Sequence, residues 1–177
     1  MMFRRLVVFA LALAAVGAPL RAAESLRIVP LVRDDTVIVS VELADAYTRE
    51  VREAIASGLR TTFTYEVELR MVVPVWVDRT IATAVVSTLD QYDNLTRLHS
   101  LSLMIDGRVQ DVSVTDDESV VERWLTNLHR MPLFRASRLE PNRDYYVRIK
   151  ASVRPRGTSL LGWTGGISGQ ERFTFIP

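Results

Sequence analysis

The chain has 177 residues, a formal net charge of +1 and no cysteine. A chain of this length can bury a hydrophobic core without help from a metal or a disulfide. The lack of cysteine excludes a disulfide scaffold, thiol catalysis, a cysteine zinc site and a lipoprotein anchor. Because charges of both signs are interspersed along the sequence, no basic face predicts nucleic acid binding.

The chain begins with the pattern of a secretory signal peptide over residues 1–22. Arg4 and Arg5 give a short basic start, and an uncharged apolar run follows from Leu6 to Ala18. This run of about thirteen residues is shorter than a membrane-spanning helix, which needs roughly twenty. We therefore expect an exported, periplasmic protein, with inner-membrane anchoring by an uncleaved leader as the alternative.

The leader is predicted to be cut between Ala22 and Ala23. That cut places Leu20 and Ala22 at the two positions that the signal peptidase recognises, whereas a cut after Ala23 would place Arg21 at one of them. The leader takes three arginines with it, which reduces the basic residues from 22 to 19 against 21 acidic residues. Residues 23–177 are predicted to form a single β-rich domain.

The domain opens with a predicted strand and a predicted helix. The strand has the alternation of a half-buried strand, with apolar residues at Val37, Val39, Val41 and Leu43. The helix repeats an apolar residue every four positions, at Tyr47, Val51, Ile55 and Leu59. Asp45 is its predicted N-cap, and Gly58 lies where the helix would end.

The clearest strand runs from Thr62 to Val73, and a further strand is predicted from Arg79 to Tyr92. The first strand has one wholly apolar face, formed by Phe63, Tyr65, Val67, Leu69, Met71 and Val73. Alternation over this length indicates an antiparallel sheet with one dry face and one wet face. In the second segment an alanine-rich middle leaves a helix as the alternative.

The segment from Leu95 to Val114 has the pattern of a β-hairpin. Apolar residues alternate on both sides of the pair Asp106-Gly107, which supplies the positive φ angles of a type I′ turn. The alternation slips between Val109 and Val112, and this slip indicates a β-bulge near Asp111.

A second helix is predicted after the hairpin. The run Thr115-Asp116-Asp117-Glu118 fits a capping box at a helix start. Its predicted buried stripe is Val121, Trp124, Leu125 and Leu128. His129 and Arg130 are expected at the negative end of this helix, before Pro132 stops it.

The chain closes with two predicted strands. The first alternates apolar residues at Tyr145, Val147, Ile149, Ala151 and Val153, and the second runs from Gln170 to Ile176. All the elements together predict an α+β domain, mainly an antiparallel β-sheet or sandwich with two amphipathic α-helices packed on it.

Between these strands lies an uncharged, glycine-rich segment from Thr158 to Gly169. Its four glycines disfavour a regular helix or strand. Either the segment folds back onto its own domain, or it presents apolar side chains to a partner or to the membrane surface. The predicted contact residues are Leu160, Leu161, Trp163 and Ile167.

The central part of the chain resembles domain-of-unknown-function family 4390. The resemblance spans roughly residues 35–153 and is carried by Ser57-Gly58-Leu59, Phe63-Thr64-Tyr65-Glu66-Val67-Glu68-Leu69, Val75-Trp76-Val77-Asp78 and Tyr92-Asp93-Asn94-Leu95-Thr96. The chain departs from the family at His99, where members often have a tyrosine, and from Arg156 onward. The resemblance implies a bacterial envelope location and no established activity, and it hints at envelope sensing or signalling.

Two pairs of residues offer functional interpretations beside structural ones. Trp76 and Asp78 would form a ligand-contacting edge, or a turn in which Asp78 bonds the backbone and Trp76 covers the edge of the core. Glu66 and Glu68 have a spacing compatible with glycosidase carboxylates, but their place on the wet face favours a solvated surface.

The two histidines, His99 and His129, do not predict a metal site. A catalytic zinc needs three protein ligands, so a carboxylate such as Asp90 or Asp93 would have to join them. His129 fits a helix C-terminus better, and His99 is expected on a strand, facing solvent. A serine triad is equally unsupported because the sequence lacks the motif of a nucleophile elbow.

The sequence therefore predicts no catalytic residue, no cofactor and no metal. The expected function is a non-enzymatic binding or interaction module whose partner is an envelope protein or the membrane surface. The alternatives are a periplasmic carrier of a small lipid or metabolite, with the ligand held between the helices and the dry face of the sheet, and a hydrolase with an unrecognised site. The sequence does not fix the oligomeric state.

Overall fold

A computed structural model describes residues 26–155 and 166–176. Its elements follow in chain order: β1 (Leu26–Arg33), β2 (Thr36–Leu43), α1 (Arg49–Ala56), β3 (Thr61–Met71), β4 (Arg79–Asp93), β5 (Leu98–Ile105), β6 (Arg108–Thr115), α2 (Glu118–Thr126), β7 (Asn127–Arg135), a 3₁₀ turn (Ala136–Arg138), β8 (Arg143–Pro155) and β9 (Ile167–Phe175). The strands form a six-stranded sheet in the order β6-β5-β4-β3-β8-β9 and a three-stranded sheet in the order β1-β2-β7. The predicted α+β fold is confirmed.

β3 is the centre of the large sheet. It pairs antiparallel with β4 on one side and with β8 on the other along its whole length. Its predicted dry face is confirmed, because Phe63, Tyr65, Val67, Leu69 and Met71 are all buried. The alternating apolar residues of β8 are buried on the same face, so β3 and β8 together present one continuous apolar surface.

The small sheet covers that apolar surface. The four predicted inward residues of β2, from Val37 to Leu43, are buried in the same hydrophobic core as those of β3 and β8. Along one side β1 packs next to β9, the outermost strand of the large sheet in the described part of the chain. The two sheets therefore form a sandwich around a single core.

Helix α2 links the two sheets and is held to the large one by one of its last carbonyls. The carbonyl oxygen of Leu125 accepts a hydrogen bond of 2.7 Å from the Tyr65 hydroxyl and one of 3.1 Å from the Thr88 hydroxyl. A helix leaves its final carbonyl groups without partners inside the helix. Side chains of β3 and β4 supply those partners here, in a fully buried position.

The sequence placed both helix starts wrongly. Thr48, and not Asp45, is the N-cap of α1, and its hydroxyl accepts from Val51 N at 3.4 Å. Asp45 lies before the helix with φ +59°. Asp117, and not Thr115, is the N-cap of α2, and its carboxylate accepts from Ser119 N at 2.8 Å. In both cases a nearer polar side chain reaches the free N–H groups of the first turn.

The end of α2 and the strand after it were also missed. His129 and Arg130 were expected to end α2, but the helix ends at Thr126 and both residues lie in β7, where they are exposed. Residues 127–135 do not alternate, since β7 is irregular where it pairs with β2 and Arg130 has φ +49°. Such irregularity removes the period-two pattern from the sequence.

The predicted hairpin is confirmed. Asp106 and Gly107 have φ +50° and +76° in the turn between β5 and β6. The register of the two strands shifts between Leu103 and Met104, which pair with Asp111 and Val109 and leave Gln110 over. The bulge therefore lies next to Asp111, as the slip in the alternation indicated. Gly58 also ends α1 as predicted, with φ +80°.

Removal of both hydroxyls on Leu125 should destabilise the protein more than additively. Tyr65→Phe and Thr88→Val should each lower the free energy of unfolding by about 1 kcal/mol, because the Leu125 carbonyl keeps one donor in either variant. The double variant leaves that carbonyl buried without a partner, which adds a further penalty of about 1 to 3 kcal/mol. Urea unfolding of all four proteins measures the coupling, and losses that add to within about 0.5 kcal/mol would contradict it.

Candidate functional site

A cleft of about 780 Å³ opens where α1, the turn between β4 and β5, and the start of α2 meet. We call it the Tyr47 cleft. It lies at the end of the large sheet where β3 begins, because Thr61 pairs with Asp90 of β4 there. Its lining residues are Tyr47, Arg49, Arg52, Glu53, Ile55, Ala56, Tyr92, Asn94, Arg97, His99, Asp116 and Glu118.

Helix α1 forms one wall of the cleft because its two faces differ. Val51 and Ile55 are buried in the core, and charged side chains occupy the exposed face. The positive φ of Gly58 turns the chain back into β3, and the Gly58 carbonyl accepts a hydrogen bond of 3.0 Å from the Gln91 side chain. This contact fixes the end of the helix against β4.

The β4–β5 turn forms the opposite rim and is braced by Asp93. Its carboxylate accepts from Leu95 N at 2.8 Å, and its carbonyl accepts from Arg97 N at 2.8 Å. Hydrogen bonds from Leu95 N and Thr96 lower the pKa of the Asp93 carboxyl, because they favour its ionised form. The turn therefore presents Asn94 and Arg97 from a fixed backbone.

A buried carboxylate, that of Asp90, lies behind the cleft and contacts the imidazole of His99, which is one of the lining residues. His99 Nδ1 is 2.9 Å from Asp90 Oδ2, and the two residues are 9% and 0% exposed. The other oxygen, Asp90 Oδ1, has no hydrogen-bond partner among the described residues. Burial raises the pKa of the Asp90 carboxyl, and the contact with His99 opposes this shift without cancelling it.

Two tyrosines flank this pair. The ring of Tyr92 lies 4.6 Å from the ring of His99, centroid to centroid. Burial raises the pKa of the Tyr47 hydroxyl, and the negative charges of Glu118 and Asp90 add to the effect. Tyr47 therefore remains protonated and offers the cleft a hydrogen-bond donor.

The charges on the lining are only partly paired. Arg49 lies 3.5 Å from Glu53 on the exposed face of α1. Arg52 and Arg97 have no carboxylate within 4.0 Å in the part of the chain that the structure describes. The start of α2 adds acidic side chains to the lining, so the cleft presents both signs of charge to solvent.

The expectation that His99 faces solvent was wrong. His99 and Leu101 lie two residues apart on β5 and so share a face, and Leu101 is buried in the core. The register pairs Leu101 with Asp90 of β4, which brings the carboxylate to the same face. The alternation in β5 showed from the sequence alone that His99 shares a face with the apolar Leu101. The register between β4 and β5, which brings Asp90 to this face, could not be read from the sequence.

Trp76 was also misplaced by the structural interpretation. It does not cover the edge of the core, since it is 81% exposed between two exposed valines. Asp78 does bond the backbone, with Val73 N at 3.1 Å, and it accepts a second hydrogen bond from the Tyr146 hydroxyl at 3.0 Å. These hydrogen bonds lower the pKa of the Asp78 carboxyl.

The remaining candidates lie apart from the Tyr47 cleft. Glu66 and Glu68 are on the outer face of β3, beside Arg148 and Lys150, along a hollow of about 370 Å³. His129 is exposed on the other sheet. Within residues 26–155 and 166–176, no three histidine or acidic side chains are grouped as a metal site would require.

The predicted contact and cleavage residues fall largely outside the described residues. This applies to Leu160, Leu161, Trp163, Ala22 and Ala23. Ile167 lies in β9, pairs with Ala151 and packs half-buried against the core. Among the helices that the structure describes, none is long and apolar enough to cross a bilayer.

Comparison with known protein families identifies a match over most of the chain. The profile of the family described as Domain of unknown function (DUF4390) matches residues 22–157, which include every residue that lines the Tyr47 cleft. No curated protein and no solved structure matches the chain.

Replacement of Asp90 by asparagine should change how stability depends on pH. Burial of the ionised Asp90 carboxylate lowers the stability of the folded protein, which is why the folded-state pKa of Asp90 is raised. This loss of stability is absent at low pH, where the carboxyl is protonated in both states, and it develops as the pH rises above the ordinary pKa of 3.8. Asparagine is uncharged throughout, so the stability of Asp90→Asn relative to wild type should rise as the pH increases above about 4. Urea unfolding at several pH values tests this, and a pH-independent difference would contradict the raised pKa.

Proposed function

The chain belongs to the family described as Domain of unknown function (DUF4390), and we propose that it is an exported, non-enzymatic binding protein of the bacterial envelope. The Tyr47 cleft carries this proposal. Its volume of about 780 Å³ lies within the range of roughly 300 to 1,000 Å³ typical of small-molecule sites. The signal-peptide pattern of residues 1–22 supports the location.

The chemistry of the lining indicates the class of ligand. Tyr47 and Tyr92 offer flat aromatic surfaces, and the hydroxyl of Tyr47 is a donor. Arg52 and Arg97 offer guanidinium groups, which suit a carboxylate or phosphate. We therefore assign the cleft to a small metabolite with an anionic group and a flat apolar part. Asp116 and Glu118 would accept hydrogen bonds from an amino group on such a ligand.

A ligand in this position corresponds to the carrier alternative of the sequence analysis, since it lies against α1 and beside the start of α2. Such a module also suits envelope sensing, because a bound metabolite is a signal that a partner protein can detect. The uncharged segment containing Leu160, Leu161 and Trp163 stays a predicted contact surface for that partner.

One observation favours a hydrolase as the second candidate. An imidazole held by a buried carboxylate, as His99 is by Asp90, is the arrangement that orients a general base. Among the described residues, however, the lining of the cleft contains no serine, threonine or cysteine that such a base would activate. Loss of turnover in His99→Ala, after a screen of ester, peptide and glycan substrates, would establish this candidate in place of a binding protein.

Protein recovered from the envelope of expressing cells should carry a bound small molecule, visible by native mass spectrometry. Arg97→Gln should weaken its retention by about tenfold or more, because a charge-assisted contact is lost. Arg108→Gln is the matched control, since Arg108 is an exposed arginine at the far end of the β5–β6 hairpin. A wild-type mass equal to that of the polypeptide alone, or equal retention by both variants, would count against the proposal.

A further inference from the structure

The loop between β3 and β4 presents three consecutive apolar side chains to solvent. Val75, Trp76 and Val77 are 103%, 81% and 75% exposed. We call these three residues the Trp76 tip. Large apolar side chains are normally exposed singly, so a run of three indicates a contact surface.

The backbone of the tip is fixed. Trp76 N donates to the Val73 carbonyl at 3.2 Å, which closes a turn with Pro74 at its second position. Val75 has φ +63°, a conformation that is rare for a β-branched residue and is retained only where its surroundings impose it. This turn directs the side chains outward.

Asp78 anchors the base of the loop. Its carboxylate bonds Val73 N and the Tyr146 hydroxyl, as described above, and its carbonyl accepts from Arg70 Nη2 at 3.0 Å. The tip is therefore held by β3 and β8, and ordering it on binding requires little further loss of conformational freedom.

The shape and size of the tip suit a bilayer surface better than a protein partner. Three side chains expose on the order of 400 Å² of apolar area, about half of what each side of a stable protein interface buries. A bilayer surface needs no complementary pocket for a protruding loop, and tryptophan is favoured at the level of the lipid headgroups.

The surrounding charges agree with an anionic surface. Arg70, Arg79 and Arg172 lie at or beside the base of the loop, and Arg172 has no carboxylate within 4.0 Å among the described residues. The other two arginines are paired, since Arg70 lies 3.6 Å from Glu68 and Arg79 lies 2.8 Å from Glu140. Asp78 accepts the bonds given above. Among the described residues, Arg172 is therefore the cation beside the loop that is available to an anion.

We propose that the Trp76 tip docks the protein onto an anionic phospholipid surface. Trp76 and Val77 enter the headgroup region, and Arg172, beside the base of the loop, meets a lipid phosphate. The tip lies at the end of β3 opposite the Tyr47 cleft, about 35 Å away along the strand. Docking therefore does not depend on the ligand of the cleft, and a failure of either proposal leaves the other standing.

The proposal is tested by measuring how the protein, purified from cells that express and process the full chain, binds to lipid vesicles. We expect it to cosediment with vesicles of phosphatidylethanolamine and phosphatidylglycerol, and Trp76→Ser and Val77→Ser should each weaken binding by about tenfold. Val112→Ser is the matched control, because Val112 is 67% exposed on β6, and it should bind like wild type. Because Trp76, Val77 and Val112 are all exposed, each variant should unfold at the same temperature as wild type. An unchanged melting temperature shows that a loss of binding does not come from misfolding.

Three outcomes would overturn the proposal. The first is wild-type protein that stays in the supernatant. The second is Trp76→Ser and Val77→Ser proteins that bind as well as Val112→Ser. The third is a wild-type protein that self-associates without lipid and loses this association in Trp76→Ser, which would assign the tip to a contact between copies of the chain.

Discussion

The sandwich depends on one buried acceptor, the carbonyl oxygen of Leu125. In a longer helix this oxygen would bond an amide one turn further on, and the chain would continue away from the small sheet. The hydroxyls of Tyr65 and Thr88 take that place, and Asn127 adopts an extended conformation with φ −120° and ψ 108°. β7 can then pair with β2 and close the second layer over the core.

The same sheet that receives α2 also positions the candidate site. β4 provides Thr88 for the helix and Asp90 for the cleft, two residues apart on one inward face. A carboxylate on that face is desolvated, and His99 on the neighbouring strand supplies one partner, while one carboxylate oxygen keeps none in the described part of the chain. A buried polar group left incompletely paired destabilises the fold, which makes this pair a candidate for binding or catalysis.

The sequence predicted those features that a few neighbouring residues determine. The alternation over β2, β3 and β8 identified their buried faces, and Asp106-Gly107 identified a turn because its backbone conformation needs such residues. β7 was missed because its buried residues, Leu128, Met131 and Phe134, are three positions apart and its alternation is interrupted. The Asp90–His99 pair and the exposure of Trp76 were missed because both follow from how strands pair and where loops project, which no short segment encodes.

The bulge at Gln110 affects the tendency of the folded protein to aggregate through the edge of its large sheet. β6 is the outermost strand of the large sheet on that side of the described structure, and it carries Val109, Val112 and Val114 exposed on one face. A regular apolar edge of this kind would recruit strands from other unfolded or partly folded chains. Because Gln110 interrupts the row of backbone hydrogen-bonding groups, an incoming strand cannot stay in register along β6. β6 is thereby protected from edge-to-edge pairing with strands of other chains.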